Sequence, residues 1–555
     1  KRRAAITVRR NGRKVAEAMA DVRSGKASAE LVIDKPKLWW PAGMGDQPMY
    51  EVDAELLDGD GAMLDTASRR IGLRTLEVVQ KPDKWGTSFQ FECNGVPFFA
   101  KGVNWIPADA VMHHVTDDDY RRLLEDALAA NMNMVRVWGG GIYEEDLFYD
   151  LCDEMGLCVW QDFAFACASY PTFDAEFNAN VVAEIEDNVR RLRHHPSIAI
   201  WCGNNEIEGT VVTDEWTDIS MAWDDYKILF DGVLTKAMKR LDPERLYWPS
   251  SPHTPGRNRK EVNDPTRGNA HLWQVWHGNQ PFEWYFTSEH RFVAEFGFQS
   301  FPEPKTVRAY TEPGDRNVTS PIMEHHQRSP IGNSKIMNTM LEWFRMPKDF
   351  NATLWLSQIQ HGMAVQFAVE HWRRSMPRTM GAIYWQLNDC WPVASWSSID
   401  YFGRWKALHY AAKRFYAPAL ISGVADAKTG LAEVHVTCDL LKPPVGATFI
   451  WRLMTVAGEL LIESTERVKL PANASTCVAK IDVADPIAEY GADNLLLSVE
   501  LTVGGEIVSD NLLLFARPKR MNLHDPKLSA KVKALAGGEF EITLKSKSPA
   551  LWTWM

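Results

Sequence analysis

The chain has 555 residues, of which 45% are hydrophobic and 24% are charged, and its formal net charge is -11. At about 150 residues per domain, this length predicts roughly three or four globular domains with sizeable cores. The balance of 72 acidic against 61 basic residues argues against nucleic acid as a partner. No apolar run reaches the roughly 18 residues that a transmembrane helix needs, so a membrane partner is not expected either.

The first predicted domain, residues 1–79, alternates apolar and polar side chains in short segments such as 27–33 and 50–56. Turn residues such as Asn11 and Gly12 separate these segments. Segments that alternate apolar and polar residues and are separated by turn residues are typical of an immunoglobulin-like β-sandwich. Because the pattern begins inside a strand and not with the apolar segment of a secretory signal, we expect an N-terminally truncated domain, and the compartment is left open.

Residues 80–417 alternate buried strands with amphipathic helices, which predicts parallel strands joined by covering helices. The candidate strands are residues 98–103, 134–138, 157–160, 198–201, 245–248, 270–273, 292–294 and 382–385. After the first strand, Thr116 is the predicted N-cap of a helix over 117–131. The predicted buried face of this helix consists of Leu123, Leu124, Ala127 and Leu128. Eight such strands predict a central, catalytic (β/α)8 barrel.

Polar or aromatic residues come after most of these candidate strands, where a continuing strand would be apolar. In a parallel barrel all carboxyl ends of the strands meet at one rim, so residues far apart in sequence would share one pocket. These strand ends are Asn104–Trp105, Trp138–Gly141, Gln161–Asp162, Asn204–Glu206, Trp276–His277, Glu295 and Gln386–Asp389. The sequence therefore predicts a pocket lined by aromatic and carboxylate side chains.

After residue 417 the pattern returns to short alternating strands, such as 433–437 and 494–501. They predict a second immunoglobulin-like β-sandwich over 418–516. Residues 517–555 hold one further strand pattern, at 540–544, and stop without a terminating turn. We expect the start of a further β domain that is truncated in this chain.

The tryptophans and the metal-ligating residue types bear on the class of ligand. Indole rings stack on the apolar faces of sugars, and the chain has 23 tryptophans, most of which we expect in cores. The eight cysteines show no paired metal-type spacing, so no disulfide framework is expected. Histidine pairs at 113–114, 194–195 and 325–326 look like metal ligands, but neighbours in a strand or helix point apart. We predict no metal and no cofactor.

Two glutamates at strand ends carry the predicted chemistry. Glu206 closes the run 198–206 and Glu295 closes the run 291–295. Cleavage of an acetal needs a proton for the leaving oxygen and a nucleophile or activated water for the anomeric carbon, and two carboxyl groups supply both. Their positions predict an acid/base and a nucleophile on one barrel rim.

Several motifs resemble those of the glycoside hydrolase family 2 β-mannosidases, a family within the clan of (β/α)8 glycosidases whose acid and nucleophile lie after strands four and seven. The matching stretches are Leu38–Gly45, Phe98–Asp109, Asn131–Tyr143, Val159–Phe163, His195–Ser197, Trp201–Glu206, Glu295–Ser300 and Tyr384–Pro392. The resemblance covers residues 1–515. Our strand count agrees with it, since Glu206 comes after the fourth candidate strand and Glu295 ends the seventh.

The resemblance implies a role for each matched residue. Glu206 would be the general acid/base and Glu295 the nucleophile. Asn205 would bind the sugar 2-hydroxyl, where stabilisation grows in the transition state. Trp138 and Trp385 would line the site of the non-reducing sugar. The family also has a preceding β-sandwich that contributes to this pocket, so we expect full activity to need a longer chain.

Other strand-end residues are candidates with open alternatives. The resemblance also implies that Arg136, on the second strand, would keep Glu295 ionised; its alternative role is a buried ion pair that ties strands together. His271 and Trp276 are predicted to line the pocket, although a strand-end histidine is as often a hydrogen-bonded core residue. Trp216 is a further candidate sugar platform. Two carboxylates are candidates for orienting neighbours, namely Asp162 and Asp389.

The residues and the resemblance together predict a retaining exo-β-mannosidase that removes terminal non-reducing β-D-mannose from an oligosaccharide or glycan. The alternatives are an exo-β-glucosaminidase or an endo-β-mannosidase of the same family, and a non-catalytic carbohydrate-binding protein. The expected partner is the oligosaccharide or glycan substrate, with no nucleic acid and no membrane. Assembly as a homodimer is left open.

Overall fold

The protein is described by a computed structural model over residues 2–211, 221–256, 259 and 261–554, with only the backbone of residues 210 and 211. The chain divides into two compact units. The first comprises residues 1–272, 289–296 and 378–390, and the second comprises 273–288, 297–377 and 391–555. Within the described ranges, no helix is both long enough and apolar enough to cross a membrane.

The first unit begins with an antiparallel sheet in the order β2-β1-β3-β4. Its strands are β1 (Arg3–Arg10), β2 (Arg13–Asp21), β3 (Met49–Leu57) and β4 (Met63–Gly72). The next strands are short: β5 (Leu76–Val79), β6 (Pro82–Asp83), β7 (Gly86–Thr87), β8 (Gln90–Cys93) and β9 (Val96–Phe98). The indole of Trp39 donates to the Asp153 carbonyl at 2.8 Å, and Arg74 donates to the carbonyls of Pro196 and Ile198. These bonds connect the segments that flank this sheet to residues of the parallel-stranded domain described next.

The catalytic domain is built on one parallel sheet. Its strands are β10 (Ala100–Trp105), β11 (Met134–Val137), β12 (Cys158–Asp162), β13 (Ile198–Cys202), β14 (Tyr247–Trp248), β15 (Ala270–Leu272), β16 (Val293–Phe296) and β17 (Gly381–Tyr384). Over the described residues, these eight strands pair in the order β14-β13-β12-β11-β10-β17-β16-β15, which is the strand order of a (β/α)8 barrel. All eight predicted strands are confirmed, although the fifth is only two residues long.

Helices connect these strands in the expected alternation. Those of the first unit are α1 (Asp117–Ala129), α2 (Asp146–Met155), α3 (Ala175–Leu192), α4 (Trp223–Tyr226) and α5 (Leu234–Leu241), with π-helical segments Ile207–Val211 and Lys227–Val233 and a 3-10 turn Met112–His114. The predicted cap of α1 is confirmed, because Thr116 accepts from the Asp119 N–H in a capping box. Leu128 is exposed, so its predicted place on the buried face is wrong.

Aromatic side chains close the barrel end opposite to the strands' carboxyl ends. Phe89 and Phe91 pack edge-on against Phe292 at ring-centroid distances of 5.2 and 5.7 Å. Trp248 and Trp160 complete this cluster. The core therefore makes one end of the barrel apolar and leaves polar strand ends at the other.

The second unit contains the later helices and the C-terminal strands. Its helices are α6 (Pro304–Tyr310), α7 (Pro321–His325), α8 (Gly332–Trp343), α9 (Phe350–Arg374), α10 (Ala407–Phe415) and α11 (Ala484–Tyr490), with 3-10 turns Phe282–Thr287, Pro313–Asp315, Ala492–Asn494 and Ala536–Gly538. Its strands are β18 (Ala419–Asp426), β19 (Leu431–Cys438), β20 (Ala447–Thr455), β21 (Leu460–Val468), β22 (Ala474–Asp482), β23 (Leu495–Val503), β24 (Glu506–Leu514), β25 (Ser529–Ala534) and β26 (Phe540–Lys545).

Two sheets of the second unit, β18-β19-β22 and β21-β20-β23-β24, enclose a common apolar core. This arrangement is the predicted C-terminal β-sandwich. Strands β25 and β26 form a separate hairpin. In the first unit, by contrast, the strand predicted at 27–33 is wrong, because these residues pair with no other strand. Their alternation reflects partial burial on one side and not a sheet ladder.

A buried arginine joins the long helix α9 to the sandwich. Arg373 is fully buried; its Nη1 donates to the carbonyls of Phe415 and Ala417 at 2.7 and 2.8 Å, and its Nη2 donates to Asp439 Oδ1 at 2.7 Å. One guanidinium thus satisfies acceptors from the end of α10 and from the turn after β19.

We predict that Arg373→Met destabilises the protein by about 3 kcal/mol or more, because it leaves buried acceptors and the Asp439 carboxylate without their donor. Thermal and denaturant unfolding would measure the effect. Arg414→Met, at an exposed position of α10, is the matched control and should change stability by less than about 0.5 kcal/mol. Equal effects of the two substitutions would contradict the proposed role of Arg373.

Candidate active site

Glu206 and Glu295 lie together at the carboxyl ends of β13 and β16. One carboxylate oxygen of each and one ring nitrogen of His271 lie within 4.8 Å of one another. Glu295 is 4% exposed, whereas the side chain of Glu206 is 15% exposed. This upper limit, which applies to one oxygen of each carboxylate, is compatible with the roughly 5–5.5 Å between the carboxyl groups of retaining glycosidases. The geometry suits attack by one carboxylate and proton transfer by the other.

The backbone directs Glu206 into the site through a left-handed turn. The φ of Glu206 is +60°, a region that non-glycine residues adopt uncommonly. Two hydrogen bonds hold the turn: the Glu206 N–H donates to the Ser251 carbonyl at 2.8 Å, and the Asn205 N–H donates to the Phe165 carbonyl at 2.9 Å. Neighbouring loops therefore fix the conformation that presents Asn205 and Glu206 side by side.

Arg136, at the end of β11, binds four side chains from neighbouring segments. Its Nη1 donates to Glu295 Oε1 at 2.5 Å and to Asn104 Oδ1 at 2.8 Å. Its Nη2 donates to Asn205 Oδ1 at 2.6 Å and to Asp162 Oδ2 at 2.8 Å, while Nε donates to Asp162 Oδ1 at 3.3 Å. The guanidinium is fully buried. Arg136 therefore ties strands together as a buried ion pair and contacts the predicted nucleophile, while its effect on the ionisation of Glu295 stays a prediction.

The bond to Arg136 also fixes the orientation of the Asn205 amide. A guanidinium only donates, so the oxygen of Asn205 must face Arg136. The amide nitrogen of Asn205 then points away, 3.3 Å from the Cys167 sulfur. Asn205 is therefore oriented as a hydrogen-bond donor, which is the form that a sugar hydroxyl can accept from.

Burial and charge oppose each other at Glu295. Burial raises the pKa of Glu295 above its ordinary value, and the neighbouring Glu206 carboxylate adds to this effect. The nearby His271 and the Arg136 guanidinium act in the opposite direction. Burial outweighs them, so the pKa of Glu295 lies above its ordinary value although both neighbours favour the ionised form.

Two of the predicted aromatic residues meet in the first unit. The rings of Trp138 and Trp385 are 5.0 Å apart between centroids and nearly perpendicular, at 76°. The backbone of Trp385 donates to the Phe296 carbonyl, directly after Glu295. Gly140 supports the other ring, because a Cβ at this position would lie only 2.0 Å from the Trp138 ring.

The remaining candidates lie in different surroundings. Trp276 belongs to the second unit, where it is buried against Phe298 and Trp396. Its predicted contact with sugar stays a prediction. Trp216 falls outside the described residues. Asp162 orients Arg136, as expected, and Asp389 is buried at 3% exposure.

The premise that neighbouring histidines point apart is wrong for two of the three pairs. The rings of His194 and His195 are only 4.1 Å apart, and those of His113 and His114 are 4.6 Å apart. The first pair lies in a turn after α3 and the second in a 3-10 turn, where neighbouring side chains do not diverge as they do along a strand. His195 binds the buried Asp153 at 2.7 Å.

Sequence reasoning missed a buried ionic cluster next to the predicted acid. Glu208 is fully buried and accepts from Arg259 Nη2 at 2.6 Å, from Tyr226 at 2.9 Å and from His253 Nδ1 at 3.0 Å. Burial works to raise the pKa of Glu208, but the contacts with His253 and Arg259 outweigh it, so this pKa lies below its ordinary value. The only signal was position, two residues after Glu206.

Comparison with known families and proteins places these features in context. The family model "Glycosyl hydrolases family 2" matches residues 4–74, "Glycosyl hydrolases family 2, TIM barrel domain" matches 87–254, and "Mannosidase Ig/CBM-like domain" matches 430–520. Beta-mannosidase B of Emericella nidulans is 34% identical over 575 residues, which cover 99% of this chain and 67% of that protein.

Solved structures give the same picture. The beta-D-mannosidase from Dictyoglomus thermophilum matches with a TM-score of 0.88 at 34% identity, covering 99% of this chain and 67% of that one. The exo-chitosanase CsxA of Amycolatopsis orientalis shares the fold with a TM-score of 0.76 at 19% identity, covering 98% and 66%. The chain thus spans about two thirds of the length of these proteins.

We predict that Arg259→Met lowers stability by about 3 kcal/mol at neutral pH, because it removes a cation from the buried Glu208 carboxylate. A carboxyl group whose pKa is depressed by folding contributes stability above its unfolded pKa of about 4.3 and loses it as the pH falls through the folded value. The difference in melting temperature between wild type and variant should therefore be largest near pH 7 and shrink below about pH 4.

Thermal unfolding across this pH range measures the difference. Arg267→Met is the matched control, because Arg267 is 45% exposed and 3.5 Å from Asp264. A difference in melting temperature between wild type and Arg259→Met that stays constant from about pH 7 to about pH 3 would show that the Glu208 charge is not involved.

Proposed function

The chain belongs to glycosyl hydrolase family 2, and from this premise we propose that it is a retaining exo-β-mannosidase. The proposed reaction releases terminal non-reducing β-D-mannose from oligosaccharides or glycans by double displacement. The observation that carries the proposal is the pair of carboxylates within 4.8 Å, one buried on a guanidinium and the other partly exposed.

In the first step Glu295 attacks the anomeric carbon and Glu206 gives its proton to the leaving oxygen. Glu295 Oε1 is engaged by Arg136, which stabilises the ionised nucleophile before attack. In the second step Glu206 accepts a proton from water, which displaces Glu295 from the anomeric carbon. The greater exposure of Glu206 suits a group that must meet both leaving group and water.

The sequence identities to relatives favour a β-mannoside over a β-glucosaminide as the substrate. The relatives at 34% identity are named β-mannosidases, whereas the exo-chitosanase is 19% identical and supports only the shared fold. An exo-β-glucosaminidase and an endo-β-mannosidase are the alternative activities. A non-catalytic sugar-binding protein has no need for two carboxylates at retaining distance, so the pair supports an enzyme.

We predict that the full-length protein hydrolyses nitrophenyl β-mannoside faster than the β-glucoside and β-glucosaminide. A β-mannoside differs from a β-glucoside by its axial 2-hydroxyl, and the proposed donor to this hydroxyl is the Asn205 amide nitrogen, which faces away from Arg136. Asn205→Ala should lower kcat/KM for mannosides by roughly tenfold to a hundredfold and narrow the gap to glucosides, since a lost partner costs about 1–3 kcal/mol.

Trp385→Ala is the comparison variant, because a ring that contacts the sugar face should affect both sugars similarly. Faster hydrolysis of β-glucosaminides than of β-mannosides by the wild type would replace the proposed substrate with the first alternative. Equal losses on both sugars in Asn205→Ala would remove Asn205 from the recognition of the 2-hydroxyl.

We predict that Glu295→Ala abolishes hydrolysis of every substrate, because the covalent intermediate cannot form. Glu206→Ala should still turn over aryl mannosides with good leaving groups, which need little protonation. Azide should restore this variant by attacking the glycosyl-enzyme without help from a base. Equal losses by Glu206→Ala on activated and unactivated mannosides, or a glycosyl azide of retained β configuration from Glu295→Ala, would reverse the assignment.

A further inference from the structure

A chain of buried polar groups runs from the barrel core to Glu206. The Trp248 indole N–H donates to Asn269 Oδ1 at 2.8 Å, and Asn269 Nδ2 donates to Ser251 Oγ at 2.7 Å. Ser251 Oγ lies 2.8 Å from His271 Nε2, and His271 Nδ1 lies 2.7 Å from Glu206 Oε1. We call these four residues, Trp248, Asn269, Ser251 and His271, the relay.

Donor and acceptor types fix the direction of the first two bonds of the relay, and the third depends on the tautomer of His271. An indole can only donate, and Asn269 Oδ1 also accepts from the backbone N–H of His253 at 3.1 Å. The amide nitrogen of Asn269 must therefore face Ser251. A hydroxyl that accepts from Asn269 has its one proton available for His271 Nε2 at 2.8 Å, and this bond favours the tautomer whose ring proton is on Nδ1, facing Glu206.

The opposite tautomer would place a lone pair against negative charge. His271 Nδ1 is 3.4 Å from Glu295 Oε2 as well as 2.7 Å from Glu206 Oε1. Burial lowers the pKa of His271 to about 3, so the ring is neutral and only one of its nitrogens carries a proton. Among the residues that the structure describes, the charged or titratable groups recorded around the ring and Glu206 are Glu206, Glu295, Arg136, Asp162 and Cys167.

On the basis of the proposed function, we propose that the relay holds His271 as an Nδ1–H donor and thereby sets the protonation of Glu206. His271 is a positioning residue, since it contacts the carboxylates and is not required to touch the sugar. Its bond occupies Oε1, so the proton that Glu206 exchanges is carried by Oε2. The Cys167 sulfur lies 3.8 Å from Oε2.

The two steps of the reaction use this bond differently. In the first step, the proton on Glu206 Oε2 moves to the leaving oxygen while the bond between this oxygen and the anomeric carbon breaks. Glu295 forms an ester with the anomeric carbon at the same time. Glu295 then has no charge, and the His271 N–H faces a single carboxylate, that of Glu206. In the second, water gives its proton to Oε2 and its oxygen to the anomeric carbon, while the ester bond breaks and Glu295 regains its charge.

Ser251→Ala tests the relay, because it removes the hydroxyl donor to Nε2 that favours the Nδ1–H tautomer and makes the opposite tautomer more accessible. His271 Nδ1 can then accept a proton from Glu206, which raises the pKa of Glu206. We expect the basic limb of kcat/KM, where the acid must be protonated, to move up by about one pH unit. The acid limb of kcat on a dinitrophenyl mannoside, where the base must be ionised, should move up by a similar amount.

Two further variants separate this effect from a general loss of structure. Ser251→Thr keeps the hydroxyl and should keep both limbs near their wild-type positions. Ser422→Ala removes a buried hydroxyl from the C-terminal sandwich and should leave the profile unchanged. A uniform loss of activity in Ser251→Ala with unshifted limbs would overturn the proposal.

A second measurement does not depend on the folding of the Ser251 variants. Long-range ¹H–¹⁵N correlation on the ¹⁵N-histidine-labelled wild type distinguishes the two tautomers, with His271→Gln identifying the signal. An Nδ1–H tautomer supports the relay, and an Nε2–H tautomer overturns it. A wild type without β-mannosidase activity would refute the proposed function, whereas an active wild type with the Nε2–H tautomer would refute the relay alone.

Discussion

The site depends on one buried cation. Arg136 gathers side chains from β10, from the end of β12, from the turn after β13 and from β16, and it is inaccessible to solvent. Removing a guanidinium from water is unfavourable unless its donors are satisfied, and here two carboxylates and two amides satisfy them. A parallel barrel brings these strand ends together, and the cation determines how their side chains are arranged.

This arrangement extends into the backbone of the sheet. Asn104 accepts from Arg136 and, through its amide nitrogen, donates to the Ala294 carbonyl at 2.9 Å and to the Tyr384 carbonyl at 3.2 Å. The strands that carry Glu295 and precede Trp385 are therefore coupled to the same guanidinium. Hydrogen bonds in such a low-dielectric setting are strong, and an unpaired member is costly, so the polar groups are held before any ligand arrives.

Features that depend on periodicity and position were predictable from the sequence, whereas features that depend on side-chain pairing were not. Alternation of apolar strands and helices located the barrel, and the polar strand ends located Asn205, Glu206 and Glu295. Arg136 was found through the resemblance to a known family. The segment 27–33 has the same alternation but lacks a partner strand, which local pattern does not reveal. Ser251 and Asn269 were missed because their roles depend on the direction of hydrogen bonds between two loops, which no spacing rule encodes.

Trp138 and Gly140 have a consequence for how this pocket could change. The indole rests where any Cβ at position 140 would lie 2.0 Å from it, and a Cβ at Gly139 would lie 2.6 Å from the Phe165 carbonyl. Side chains cannot be added at these two positions without displacing either the ring or a backbone segment. Single substitutions at these two glycines therefore cannot reshape this wall of the pocket gradually. Adaptation to a different sugar by small changes would have to begin on other loops of the rim.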